Sequence, residues 1–235
     1  MKKLSIIIPV YNEEKTIIDV LKSVENVKID YAKEVIIIDD GSIDNTLNAV
    51  NEHIKKKKEK KNLKLIFISK NNEGKGSAIR EGIRAATGDL VIIQDADLEY
   101  DTKDIPRLIE YREKEKCDVV YGSRILQKNP YVYITYYLGN VFLSYLTRIL
   151  YSVPITDMET CYKLVPLHIL KELKLTSSGF DIEPEITAKI IRRGYIIKET
   201  PISYRPRSKA EGKKIRWRDG LDALFLLIYW RFKKI

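Results

Sequence analysis

Leu90-Val91-Ile92-Ile93-Gln94-Asp95-Ala96-Asp97-Leu98-Glu99 is the stretch whose reading decides the fold. Its four leading apolar, largely β-branched residues read as a strand buried on both faces, as in a parallel sheet covered by helices. The run stops at two carboxylates one residue apart, with a third two positions on. Asp95 and Asp97 therefore fall at the carboxyl end of the strand, the edge where open α/β sheets bind ligands. Side chains at i and i+2 of an extended segment point the same way. The pair can thus converge on one hard cation and on a diphosphate carried by it. The competing reading is a solvated acidic turn, but turn aspartates rarely follow so apolar a strand directly.

The first 125 residues repeat this pattern. Further strands are expected at Leu4–Ile8, Glu34–Ile38, Leu63–Ile68 and Asp118–Tyr121. Between them lie expected helices, about Glu13–Val27, Asp44–Lys60, Gly76–Ala86 and Ile105–Lys116, with apolar residues three and four apart, as in Ile17, Leu21 and Val24. Such alternation predicts a mostly parallel sheet with right-handed crossovers. The Lys55–Lys61 run suits the negative end of a helix dipole better than a nucleic-acid site. Tyr131–Tyr151, whose one charge is Arg148, reads as a helix that is either buried or laid against lipid. A helix at Glu183–Arg193 and a strand at Tyr195–Glu199 complete the sheet.

Two cysteines, Cys117 and Cys161, lack metal-ligand spacing and suggest a reducing compartment. The start, Met1 to Pro9, faintly imitates a signal peptide, but its apolar run is short and Glu13 and Glu14 follow at once. No apolar stretch approaches the roughly 20 residues that span a bilayer. Charge is unevenly placed. From Lys189 onward there are 14 Lys and Arg against 4 Asp and Glu, a local +10 that exceeds the +9 of the whole chain. An anionic partner for the tail follows: phosphate, a membrane surface or nucleic acid, the last without any recognition motif. A terminal helix is expected from about Ile215, with Trp217, Leu221, Leu224, Phe225, Ile228 and Phe232 on one side. It either lies in a membrane interface or packs on the domain. The expected division is residues 1–210 as a catalytic domain and 211–235 as a basic loop and helix.

Strand one runs into Pro9-Val10-Tyr11-Asn12-Glu13-Glu14 and strand two into Asp39-Asp40-Gly41-Ser42, on the same edge as Asp95. Carboxylates there can accept hydrogen bonds from a nucleobase or from ribose hydroxyls. Ser42 or Asp44 can equally cap the next helix. Asn71-Asn72-Glu73-Gly74-Lys75-Gly76-Ser77 opens a helix after strand three, where glycines admit a ligand to the backbone and the helix start favours anions. It is not a Walker A loop, and no dinucleotide fingerprint follows strand one.

These loops together resemble the family 2 glycosyltransferases with a GT-A fold, a mostly parallel, Rossmann-like α/β sheet flanked by helices. Within that family the chain most resembles the polyprenyl-phosphate sugar synthases, such as dolichyl-phosphate mannose synthase. Val120-Tyr-Gly-Ser-Arg124, Asp157-Met-Glu-Thr160 and Arg205-Pro-Arg207 with Glu211-Gly-Lys-Lys214 extend the match over nearly the whole chain. The resemblance assigns Pro9, Tyr11, Glu13, Asp39 and Asp40 to the nucleotide, with Lys75, Asp95 and Ala96 beside them. It implies Mg²⁺ or Mn²⁺ on Asp95 and Asp97. Glu99 stands where the mannose synthases commonly carry Gln, which leaves its role as a third ligand open. Arg124 would meet the acceptor phosphate or the sugar, and Arg207 and Lys213 would belong to a basic loop closing over the diphosphate. Asp157 would orient the acceptor, act as a base, or serve structure at a helix start. After Arg124 the mannose synthases usually carry more Arg and Ser, where this chain has Tyr136-Tyr-Leu-Gly-Asn140.

The implied reaction is inverting, metal-dependent transfer of a hexose, first expectation mannose from GDP-mannose, to dolichyl or polyprenyl phosphate. UDP-glucose is the alternative donor. A phosphomonoester is largely anionic at neutral pH, its second pKa being about 6, so it can attack without a strong base. His53 and His168 accordingly lie outside every motif. The implied location is cytoplasmic, peripheral on the inner face of the membrane. A transferase with a soluble glycan acceptor and a nucleotide-binding scaffold without turnover are the competing readings.

Overall fold

The structure, a computed structural model, describes residues 1–57, 62–208, 212, 214 and 217–234. Among the described residues seven strands form one sheet: β1 (Lys3–Val10), β2 (Ala32–Asp40), β3 (Leu63–Lys70), β4 (Leu90–Ile93), β5 (Val119–Ser123), β6 (Lys163–Pro166) and β7 (Ile197–Pro201). Their order is β3-β2-β1-β4-β6-β5-β7. β1 pairs in parallel with β2 and β4, β2 with β3, and β5 with β7, whereas β6 runs against both β4 and β5. The helices are α1 (Ile17–Asn26), α2 (Thr46–Lys55), α3 (Lys75–Ala85), α4 (Ile105–Glu115), α5 (Ile134–Tyr151), α6 (Leu167–Glu172), α7 (Ile182–Arg192) and α8 (Trp217–Phe232).

The two-residue period of β1 divides the core. Leu4, Ile6 and Ile8 face α1, α2 and α4, while Ile7 faces α3 and the later helices. Every residue of β4 is buried, as its unbroken apolar run requires. β6 and α6 escape the sequence pattern. β6 is four residues long, opens on Lys163 and closes on Pro166, a composition that reads as a loop. Lys163 is nevertheless buried, because its ammonium meets Glu183 at 2.5 Å.

α5 and α8 each pack one face on the domain and leave another exposed. Ala223, Leu227 and Trp230 of α8 are buried against α5 and α7. The Tyr151 hydroxyl donates to the Leu227 carbonyl at 2.7 Å, and Arg192 donates to the Trp230 carbonyl at 2.6 Å. Most of the stripe named from the sequence points the other way: Trp217, Leu221, Phe225, Ile228 and Phe232 are exposed, Phe225 by 67%, whereas Leu224 packs partly against the core. The expected appendage at 211–235 thus also contributes to the core. Among the described residues no helix is long and apolar enough to cross a membrane. Of the Lys55–Lys61 run, residues 58–61 lie outside the described residues, as does Ile215.

Gly82 sets how closely α3 lies on β1, since a Cβ there would meet Ile7 Cγ2 at 2.4 Å. Gly82→Val is expected to destabilise the chain by about 1–3 kcal/mol through overpacking, read as a lower urea midpoint with unchanged slope.

Candidate active site

The carboxyl ends of β1, β2 and β4 open onto one cleft of about 2000 Å³. A single small ligand fills roughly 300–1,000 Å³, so there is room for two substrates. Pro9, Tyr11, Glu13, Asp40, Lys75, Asp95, Ala96, Asp97, Glu99, Arg124 and Arg207 all line it. Asp39 and Asp157, also expected in the site, do not. Lys213 lies outside the described residues.

Charge matching organises the strand ends. Asp95 pairs with Lys75 at 2.8 Å, and Lys75 reaches on to Glu183 at 3.5 Å. Burial would raise the Asp95 carboxyl, but Lys75 outweighs it and holds Asp95 below the usual carboxylate range. Asp97 goes the other way. Burial, then the charges of Asp95 and Glu99, push it up to about 7, with Arg207 at 3.3 Å relieving only part. The turn that follows places Leu98 at a φ of 61°, and the Glu99 N–H donates to Asp97 Oδ1 at 3.0 Å. The Thr16 hydroxyl donates to the Ala96 carbonyl at 2.7 Å, which ties the turn to the start of α1.

The segment from Tyr204 to Arg207, with Lys214, supplies the opposing cations. Arg207 makes a bidentate pair with Glu13 at 2.9 and 3.1 Å, and Lys214 reaches the same carboxylate at 2.7 Å. Lys214 also lies 5.6 Å from the centroid of the Tyr11 ring. Glu99 anchors that segment: one oxygen accepts from the Tyr204 hydroxyl and the other from the Arg207 N–H, both at 2.6 Å. Both of its oxygens are thus engaged by Tyr204 and Arg207. Among the described residues no group of three metal-ligating side chains comes together, so the expected trio of Asp95, Asp97 and Glu99 is not assembled.

Two expected residues act through others. Asp39 is fully buried, accepting from Ser69 and from the Ser42 N–H at 3.1 and 3.3 Å. It shapes the loop and does not reach the cleft. Asp157 is equally buried. It accepts from Arg124 Nε and Nη2 at 2.7 Å each, from the Arg124 N–H at 2.8 Å and from Asn140 at 3.0 Å. Burial works to raise it, but Arg124 overrides this and holds it below the usual range. A carboxylate so engaged is no base; it fixes Arg124 in the cleft. Asp40 accepts from the Glu73 and Gly74 N–H groups at 3.1 and 2.7 Å, pinning the loop before α3. Gly74 has φ +101°, and a Cβ there would meet the Ser178 carbonyl at 2.5 Å, so no other residue fits that approach. Asp44 accepts from the Thr46 N–H at 3.0 Å and serves the start of α2. His53 bonds Glu25 at 2.7 Å, remote from the cleft, and His168 is exposed.

The model of glycosyl transferase family 2 matches residues 5–172. The chain belongs to glycosyl transferase family 2. An uncharacterized protein of Methanocaldococcus jannaschii is 33% identical over 207 residues, covering 84% of this chain and 86% of that protein. Dodecaprenyl-phosphate galacturonate synthase of Rhizobium johnstonii is 27% identical, covering 98% of the transferase and 68% of the synthase. In fold, the transferase resembles glucosyl-3-phosphoglycerate synthase from Mycobacterium tuberculosis in complex with Mg²⁺ and uridine diphosphate. That match has a TM-score of 0.72 at 18% identity and covers 97% of this chain and 79% of that one. The architecture is accordingly the expected GT-A fold.

Several residues of the transferase site were not legible beforehand. Lys214, which closes its motif without a role implied by it, grips Glu13. Glu183 meets Lys75 and Lys163 from a helix that the sequence marks only by its apolar period. Glu159 lines the cleft with its carboxyl pushed up to about 7 by burial, with Lys163 opposing and Glu183 adding to the shift. A Glu two residues beyond Asp157 was the only signal.

Asp157→Asn leaves the Arg124 charge unmatched, and breaking a buried pair from one side costs about 3–5 kcal/mol. Because the folded Asp157 value is depressed, the pair's contribution is full above the unfolded value of about 4 and drains as pH falls below it. Denaturation of wild type and variant should therefore differ most at neutral pH and converge under acid.

Proposed function

We propose that this transferase passes a hexose from a nucleotide diphosphate to a prenyl phosphate held at a membrane surface, with inversion at the anomeric carbon. One observation carries the reading: a single cleft joins the acidic strand ends to apolar walls. Beyond Arg124 it is lined by Tyr131, Val132, Ile134 and Tyr137, all exposed, and across from them by Trp217. The exposed Leu138, Phe142 and Tyr145 of α5 and Phe225 and Phe232 of α8 extend the apolar surface. The likeness to a dodecaprenyl-phosphate galacturonate synthase over nearly the whole chain agrees with a prenyl-phosphate acceptor.

The roles follow from the chemistry. Glu13 and Asp40 would face the nucleoside, with Pro9, Tyr11 and Ala96 forming the wall beside it. A departing nucleoside diphosphate needs cations, and Arg207 and Lys214, now on Glu13, are placed to exchange that carboxylate for phosphate oxygens. Lys213 belongs to the same proposal. The donor set fits Mg²⁺ or Mn²⁺, since Asp95 and Asp97 offer oxygen ligands alone and Asp97 stands in excess negative charge. Those two residues would hold the ion, which when bound supplies charge stabilisation to the diphosphate. Arg124, fixed by Asp157, would hold the acceptor phosphate. That phosphate is already anionic near neutrality, and the reading requires no base.

Residues 1–210, together with Lys213 and Lys214, would then carry the chemistry, and the rest of 211–235 would complete a surface lying on the cytoplasmic face of the membrane. Each Lys or Arg near anionic lipid contributes about 1 kcal/mol, so the basic tail and the exposed aromatics act together.

A donor screen starting from GDP-mannose and UDP-glucose, with radiolabelled product extracted as prenyl-phosphate sugar, tests the reading. Transfer should stop in EDTA, and Asp97→Ala should lower it by roughly 10²–10³-fold with the fold retained. Transfer to a soluble glycan with none to prenyl phosphate would overturn it. In flotation assays the chain should rise with anionic liposomes, and replacing Trp217, Phe225 and Phe232 together by Ser should abolish this. Unchanged flotation of that variant would remove the membrane contact from the proposal.

A further inference from the structure

Among the described residues three buried oxygens of the cleft accept no hydrogen bond: Glu159 Oε1, Asn140 Oδ1 and Glu183 Oε1, the last with only the Lys75 ammonium at 3.5 Å. Buried acceptors are normally hydrogen-bonded, so three that are not, lining one cleft, call for a ligand rich in donors. Their position says which part of the ligand. Glu183 meets Lys75, which holds Asp95 at the diphosphate end. Asn140 meets Asp157, which holds Arg124 at the acceptor end. The group passed from one end to the other has to lie between them, and a sugar presents several hydroxyl donors there. The nearby cations are already matched. Lys75 stands between Asp95 and Glu183, and Lys163 is held by Glu183 and by the Thr160 carbonyl. A carboxylate on the sugar would enter among Glu159, Glu183 and Asp95 while both lysines are taken. Burial and Glu183 already oppose charge on Glu159, holding its carboxyl up at about 7 against the pull of Lys163.

We propose that Glu159, Glu183 and Asn140 read the transferred sugar, and that Glu159 makes the pocket select an uncharged hexosyl group over a uronosyl one. This deepens the proposed function and rests on its nucleotide-sugar donor.

Calorimetric binding to the full chain with Mg²⁺ tests it on two matched pairs, UDP-glucose with UDP-glucuronate and GDP-mannose with GDP-mannuronate. In whichever nucleotide series binds, the hexosyl donor should bind at least about tenfold more tightly than its uronosyl twin. Glu159→Gln keeps the shape and removes the charge. It should bring the ratio to within about threefold, mainly by tightening the uronosyl donor, while bare nucleoside diphosphate binds as before. Asn140→Ala removes a different acceptor and should weaken the hexosyl donor about tenfold, again sparing the bare nucleotide. Equal affinities within a pair, or a ratio untouched by Glu159→Gln, overturn the selectivity. A hexosyl affinity untouched by Asn140→Ala overturns the three-acceptor pocket. Failure of both series to bind would instead bring down the nucleotide-sugar reading, and this inference with it.

Discussion

Carboxylates crowded at the end of a buried strand are the constraint around which the rest is arranged. β4 delivers Asp95, Asp97 and Glu99 within five residues to a place with little water, where like charges cannot all be ionised without compensation. Each of the three meets a different answer. Asp95 takes a lysine from α3, Glu99 takes a tyrosine hydroxyl and a backbone N–H from the segment at 204–207, and Asp97 keeps most of its strain. The residual electrostatic tension at Asp97 comes from burial beside Asp95 and Glu99, and the fold itself sets it.

The same bookkeeping explains why cations and anions alternate along the cleft. Arg207 and Lys214 sit on Glu13, Lys75 on Asp95, and Arg124 on Asp157. The cations Arg207, Lys75 and Arg124 are exposed to a similar small degree, whereas among the carboxylates Asp157 is fully sealed. Removing one partner of a buried pair is costly, so the sealed Asp157 carboxylate holds the Arg124 geometry.

How much of this could be read from the chain depends on how local its physics is. β1, β2, β3 and β4 announce themselves because unbroken apolar runs have few other fates, and the loops at their ends inherit a common edge from parallel topology. β6 does not, because Lys163 is tolerable in a strand only where a distant Glu183 waits for it. Asp39 and Asp40 look interchangeable in sequence, yet the period of two turns Asp39 into the loop and Asp40 toward the cleft. Asp157 carries a motif's signature while its partner lies 33 residues away. The terminal helix defeats a helical wheel for a different reason. It is apolar on two sides, and a wheel reports one moment, so the exposed stripe was visible and the buried Ala223, Leu227 and Trp230 were not.

α7 joins that helix to the chemistry. It is eleven residues long, about 16 Å from end to end. Its first turn carries Glu183 into the cleft, and its last turn, through Arg192, grips the carbonyl of Trp230 in α8. Lys189, one turn earlier, lies 4.0 Å from the centroid of the Trp230 ring. A hydrogen-bonded helix transmits displacement as a stiff rod, so α8 and the far end of the cleft share one mechanical element. Leverage on the outer helix is therefore felt at Glu183, and the exposed apolar stripe of α8 and the interior of the cleft cannot be adjusted independently by small changes in sequence.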